Sequence, residues 1–118
     1  MARQVSKGRS VKLTVPAGFG PVEANKFYEI LGFFGMAVDN AQESEQVVLL
    51  TEQAEYETSQ TDAAINYNVG DKLYFDPANK VFTTAADDGA GNAFRLVGRV
   101  TQGKDTNGVI WFILGPQV

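Results

Sequence analysis

The sequence predicts an all-β protein, a small β-barrel or sandwich of about eight short strands with an extended N-terminal arm and at most one short helix. Three observations carry that prediction. Apolar residues recur at every second position in most segments, clusters of Gly, Pro, Asn and Asp interrupt them at close spacing, and only one stretch has the pattern of a helical turn.

Val11, Leu13 and Val15 alternate with Lys12 and Thr14, the period of a strand with one covered face. Two prolines and two glycines in residues 16–21 end it as a loop. Residues 27–30 read as a short strand and residues 33–38 as another after Gly32, with Asp39 and Asn40 as turn residues. Residues 43–51 end in the β-rich run Val47-Val48-Leu49-Leu50, and Ala54, Tyr56 and Thr58 alternate with Glu55 and Glu57. In residues 61–65, Thr61 stands as a helix N-cap before small residues and allows a single helical turn. Leu73-Tyr74-Phe75 and Val81-Phe82-Thr83-Thr84 flank a turn with Pro77 in second place, which makes a hairpin. A loop at residues 87–92 precedes two last β runs, residues 94–101 and 109–114, joined through a reversing Asn107-Gly108.

A chain of 118 residues is long enough for one packed domain, read here as a single β domain over residues 13–118 behind a basic arm over residues 1–12. It contains no cysteine and no histidine. Disulfides, thiolate zinc sites, iron–sulfur clusters and cysteine nucleophiles are thereby excluded, as are Ser-His-Asp triads and histidine metal sites. No catalytic residue, cofactor site or metal site is assigned. No apolar run reaches the ~18 residues of a membrane span and residues 1–10 lack the hydrophobic stretch of a signal peptide, so the expectation is a soluble protein made in the cytosol, with no membrane partner.

The net charge of −4 is unevenly placed. Arg3, Lys7, Arg9 and Lys12 all precede the first acidic residue, Glu23, which leaves six basic residues against all 14 acidic ones in the body. A basic arm on an acidic body reads either as a solvated, frayed terminus or as an arm that lies along an acidic neighbouring surface, and the second is the expectation. The aromatics Phe19, Phe27, Phe33, Phe34 and Trp111 exceed what one small core hides, and some are expected to be covered by another subunit. The contact candidates are therefore Arg3, Lys7, Arg9, Lys12, Phe19, Phe33, Phe34 and Trp111.

Three patterns carry chemical meaning. Residues 98–104 match the phosphate-loop spacing G-x-x-x-x-G-K, but Asp105 stands where Ser or Thr should ligate magnesium, and a turn and strand follow in place of a helix. The reading is a hairpin turn. Asp87 with Asp88, and Asp71 with Asp76, lack the order of a calcium loop and read as turn and strand-start residues. A nucleic-acid interface of Arg95, Arg99 and Lys104 with Phe94 and Trp111 as stacking platforms is opposed by the acidic body, which repels phosphate.

Thr14-Val15-Pro16-Ala17-Gly18, Leu31-Gly32-Phe33-Phe34-Gly35-Met36-Ala37, Val69-Gly70-Asp71-Lys72-Leu73-Tyr74-Phe75-Asp76 with Lys80-Val81-Phe82-Thr83-Thr84, and Leu96-Val97-Gly98-Arg99-Val100 follow one another in the order of a known family. Over residues 8–114 the chain resembles the capsid decoration, or cement, proteins of tailed bacteriophages, some of which carry a RecA-type recombinase label. The segment Glu23-Ala24-Asn25-Lys26 and a long last hairpin loop depart from the family's pattern. The resemblance implies a non-enzymatic virion protein, made in the bacterial host cytoplasm. It also implies binding to the major capsid protein on the outer surface of the mature head, with neighbouring subunits bridged by a homotrimer. A β-barrel nucleic-acid-binding protein of a phage or prophage is the alternative.

Overall fold

The computed structural model describes residues 2–4, 6 and 8–117. Among them lie nine strands and no helix, as the period-two reading requires. The chain forms two compact units that divide between Glu52 and Gln53. Each contains one open antiparallel sheet, so neither is a closed barrel.

The first unit holds β1 (Ser10–Thr14), β2 (Phe27–Ile30), β3 (Phe33–Ala37) and β4 (Gln46–Leu50), in the sheet order β1-β4-β3-β2. Alternation decides which face is covered. Val11 opposes Leu49 and Leu13 opposes Val47, and these side chains join Tyr28, Ile30, Val15, Val22, Ala37 and Ala41 in one apolar cluster. Ser10, Lys12 and Thr14 remain exposed. The loop after β1 folds over this cluster: Val22 bridges to Ala41, and Phe19 meets Tyr28 edge-on at 6.0 Å. Tyr28 is buried, and its hydroxyl accepts a hydrogen bond from the Glu23 amide at 2.9 Å. Phe27 and Phe34 stack at 5.6 Å, both fully buried, and each such ring stabilises the fold by roughly 1.5–3 kcal/mol. In the segment where the sequence departs from the family's pattern, Lys26 Nζ lies 2.5 Å from Glu23 Oε2. Their mutual hydrogen bond and charge hold the carboxyl below, and the ammonium above, their usual ranges.

The second unit contains β5 (Glu55–Thr58), β6 (Lys72–Asp76), β7 (Val81–Thr83), β8 (Arg95–Gln102) and β9 (Ile110–Leu114), in the order β5-β9-β8-β6-β7. Phe82 is the centre of its aromatic core, edge-on to Phe75 at 5.4 Å and tilted against Phe112 at 4.9 Å. The β6–β7 hairpin turns as expected, with the Asp76 carboxylate accepting from the amides of Ala78 and Asn79. The helical turn allowed at residues 61–65 does not become a helix. The Asp62 carboxylate accepts the Ala64 amide and the Asp62 carbonyl accepts the Ile65 amide, closing one turn only. Thr61, in place of capping a helix, donates its hydroxyl to the Gly108 carbonyl at 2.6 Å.

Candidate interaction surface

The fold holds the basic arm from Gly8 onward. Arg3 is exposed, and Lys7 lies outside the described residues. From Gly8 the backbone is tied to the end of β4: the Gly8 carbonyl accepts the Thr51 hydroxyl and the Arg9 carbonyl accepts the Thr51 amide at 2.9 Å. Arg9 Nε sits 3.8 Å from Glu52 Oε1 on the surface, and Lys12 is exposed on β1. Strand pairing of the arm's last residues is thus made within the chain.

The aromatic candidates part company. Phe33 and Trp111 are exposed, whereas Phe34 is 1% exposed in its stack with Phe27 and Phe19 packs partly buried against the first unit's cluster. Sequence reasoning could not separate Phe33 from Phe34, because alternation sends neighbours to opposite faces without saying which face is covered.

The phosphate-loop spacing has a structural explanation at every position. Residues 98–102 belong to β8. A Cβ on Gly98 would fall 2.1 Å from the Ile113 carbonyl oxygen, and one on Gly103 would fall 2.7 Å from that of Tyr67, so both glycines permit close backbone approach. Lys104 Nζ donates to the carbonyls of Asp62 and Ala63 and lies over the Tyr67 ring, and the Asp105 carboxylate accepts the amides of Asn107 and Val109. These residues build a turn. The acidic candidates do likewise: Asp88 accepts from the Ala90 and Asn92 amides and the Asn92 side chain, Asp87 from the Gly89 amide, and Asp71 from the Asn68 amide.

Beside the exposed candidates Phe33 and Trp111, the structure presents apolar residues that the sequence left unmarked. In β9 the side chains of Ile110, Phe112 and Leu114 are buried, which turns Trp111 and Ile113 outward. The pairing register then lays a row across the sheet: Glu55 opposes Ile113, Ile113 opposes Arg99, and Arg99 opposes Lys72. Three residues of this row, Ile113, Arg99 and Lys72, line a mainly apolar groove of about 430 Å³ together with Leu96 and Pro116. Leu96 is 52% exposed and Ile113 50%. Arg99 is steadied by donating to the Gly70 carbonyl at 2.8 Å, and Arg95 donates to the carbonyl of Gln117.

The first unit exposes a second apolar feature. Ile30 opposes Phe33, so the β2–β3 hairpin turns on two residues, Leu31 and Gly32, both at positive φ (+51° and +87°). Such turns favour Asn or Gly in first place. Leucine there costs about 1–2 kcal/mol in backbone strain, and this one is also 62% exposed. The sequence signal was present in Ile30-Leu31-Gly32-Phe33, a hairpin tip with an apolar residue where a polar one is the rule.

None of the curated proteins and none of the solved structures gives a significant match to this chain. A family model described as phage cement protein matches residues 5–115. That span covers both units, and with it comes the family's role, structural and not enzymatic, in association with the capsid of the virion. From residue 5 to residue 115, then, the chain belongs to the phage cement protein family.

Proposed function

We propose that this protein decorates the outer surface of the mature phage head, contacts the major capsid protein, and bridges neighbouring capsid subunits as a homotrimer. Bridging opposes the outward pressure of packaged DNA. The observation that carries this reading is the family match, and the exposed apolar residues Leu31, Phe33, Leu96, Trp111 and Ile113 on an acidic all-β chain support it. Apolar side chains displayed on a charged body suit docking to another protein better than binding to phosphate. On this reading Arg3, Lys7, Arg9 and Lys12 add charge complementarity to acidic groups of the lattice. Three weak sites engaged together hold a trimer far more firmly than one site holds a single chain.

The test is co-sedimentation of the purified protein with mature heads and with unexpanded precursor heads, followed by an electron-microscopic map of the decorated particle. Saturable binding to mature heads, density at three-fold or quasi-three-fold positions, and heads that resist heating better when decorated are expected. Failure to co-sediment, or density at two-fold positions, would overturn the proposal.

A further inference from the structure

We propose that the Leu31–Gly32 hairpin tip of one copy seats in the groove between Leu96, Ile113 and Pro116 of a second copy, giving a head-to-tail contact between identical chains. The inference rests on the trimer reading above and names the contact that would build it.

Two features of the chain call for a partner, and they are chemically matched. The tip carries a leucine that the turn disfavours and that solvent largely surrounds, so local folding gives no reason for its presence. The groove offers apolar walls in which Leu96 and Ile113 stand half exposed, and its volume of about 430 Å³ is ample for a leucine side chain and the turn behind it. Charge selects the occupant. The groove's lining holds two cations, Lys72 and Arg99, and no carboxylate. The N-terminal arm, with Arg3 and Arg9, is therefore repelled from it. Residues 27–37, the hairpin that presents Leu31, contain one charged side chain, the acidic Glu29, and belong to a body with an excess of acidic residues. An apolar groove whose lining carries only cationic charge fits the apolar, mildly acidic hairpin of another copy. Because knob and groove are different surfaces, the contact is heterologous, and a rotation that closes on itself turns it into a ring.

The absence of cysteine gives a clean experiment. Single variants Leu31→Cys and Leu96→Cys, both at exposed positions, are made together with the double variant, and each is oxidised gently in solution and on mature heads. The mixed single variants are expected to form a disulfide-linked dimer, each single variant alone at least tenfold less of it, and the double variant a ladder that ends at a closed trimer. Equal cross-linking of Leu31→Cys alone would overturn the proposal in favour of a symmetric tip-to-tip contact. Loss of thiols at monomer mobility in the double variant would overturn it in favour of a tip that fills its own chain's groove. No cross-link in either setting would also overturn it. Co-sedimentation of the same samples reads head binding separately, so a cross-linked trimer that does not bind heads refutes the functional reading and leaves the contact standing.

Discussion

The Lys104 ammonium lies 5.5 Å from the centre of the Tyr67 ring and donates to the carbonyls of Asp62 and Ala63, so one side chain ties the turn after β8 to the segment before β6. The Tyr67 hydroxyl meanwhile accepts the Asp62 amide and donates to the Phe82 carbonyl, and burial raises its pKa. Replacing Lys104 by Ala should cost about 1 kcal/mol in urea unfolding, the scale of one exposed cation–π contact, because its two hydrogen bonds are exposed to competing water. Neither the wild-type nor the variant protein should hydrolyse ATP. Measurable turnover abolished by the substitution would restore the phosphate-loop reading.

Gly98→Ala should be more damaging, although the change adds a single carbon. Its Cβ would fall 2.1 Å from the Ile113 carbonyl oxygen, and a backbone atom of a neighbouring strand cannot swing aside as a flexible side chain can. A loss of about 1–3 kcal/mol or more is expected, read as a lower denaturation midpoint. A midpoint unchanged within error would mean that β8 and β9 sit farther apart than described.

The arm makes a graded prediction. Deleting residues 2–7 should leave the thermal midpoint nearly unchanged, whereas deleting residues 2–9 also removes the carbonyls of Gly8 and Arg9 that accept hydrogen bonds from Thr51, at a cost of roughly 1–2 kcal/mol. If the arm touches the head, both truncations should weaken co-sedimentation several-fold. Undiminished binding would reduce it to a tail.

Acid should loosen the loop after β7. Hydrogen bonds from the Asn92 side chain and from the Ala90 and Asn92 amides hold the Asp88 carboxyl below the ordinary aspartate value of 3.8. A depressed folded-state pKa means that the loop's contribution is complete above 3.8 and is lost as pH falls through the lower folded value. The amide resonances of Ala90 and Asn92 should therefore titrate together with a midpoint under 3.8, and Asp88→Asn should abolish that titration. A midpoint at or above 3.8 would show that these bonds do not favour the charged form.

Strand positions were legible wherever one face alternates with the other. Residues 27–30 were read to the residue because the turn residues around them leave no other frame, and the hairpin of β6 and β7 followed from Asp76, Pro77 and Asn79. Orientation was harder. Ile110-Trp111-Phe112-Ile113-Leu114 is apolar at every position, so period alone does not say that Trp111 and Ile113 face outward. The groove was out of reach for a further reason: it depends on the register of β8 against β6 and β9, and both pairings shift at bulges that local composition does not announce. Leu31 could have been marked, since a two-residue hairpin between Ile30 and Phe33 demands left-handed backbone of whatever residue comes first.

The order β5-β9-β8-β6-β7 bears on how the molecule is made. The last strand in chain order lies inside the second sheet, between β5 and β8, so β5 has no partner until residues 110–114 have been synthesised. Closing a loop that runs from residue 58 to residue 110 favours slow, late completion. A nascent chain interrupted before Ile110 has neither the Phe112 ring of the aromatic core nor the Ile113 wall of the groove. A product cut short at that point is left with an open β5 edge and an unfinished aromatic core.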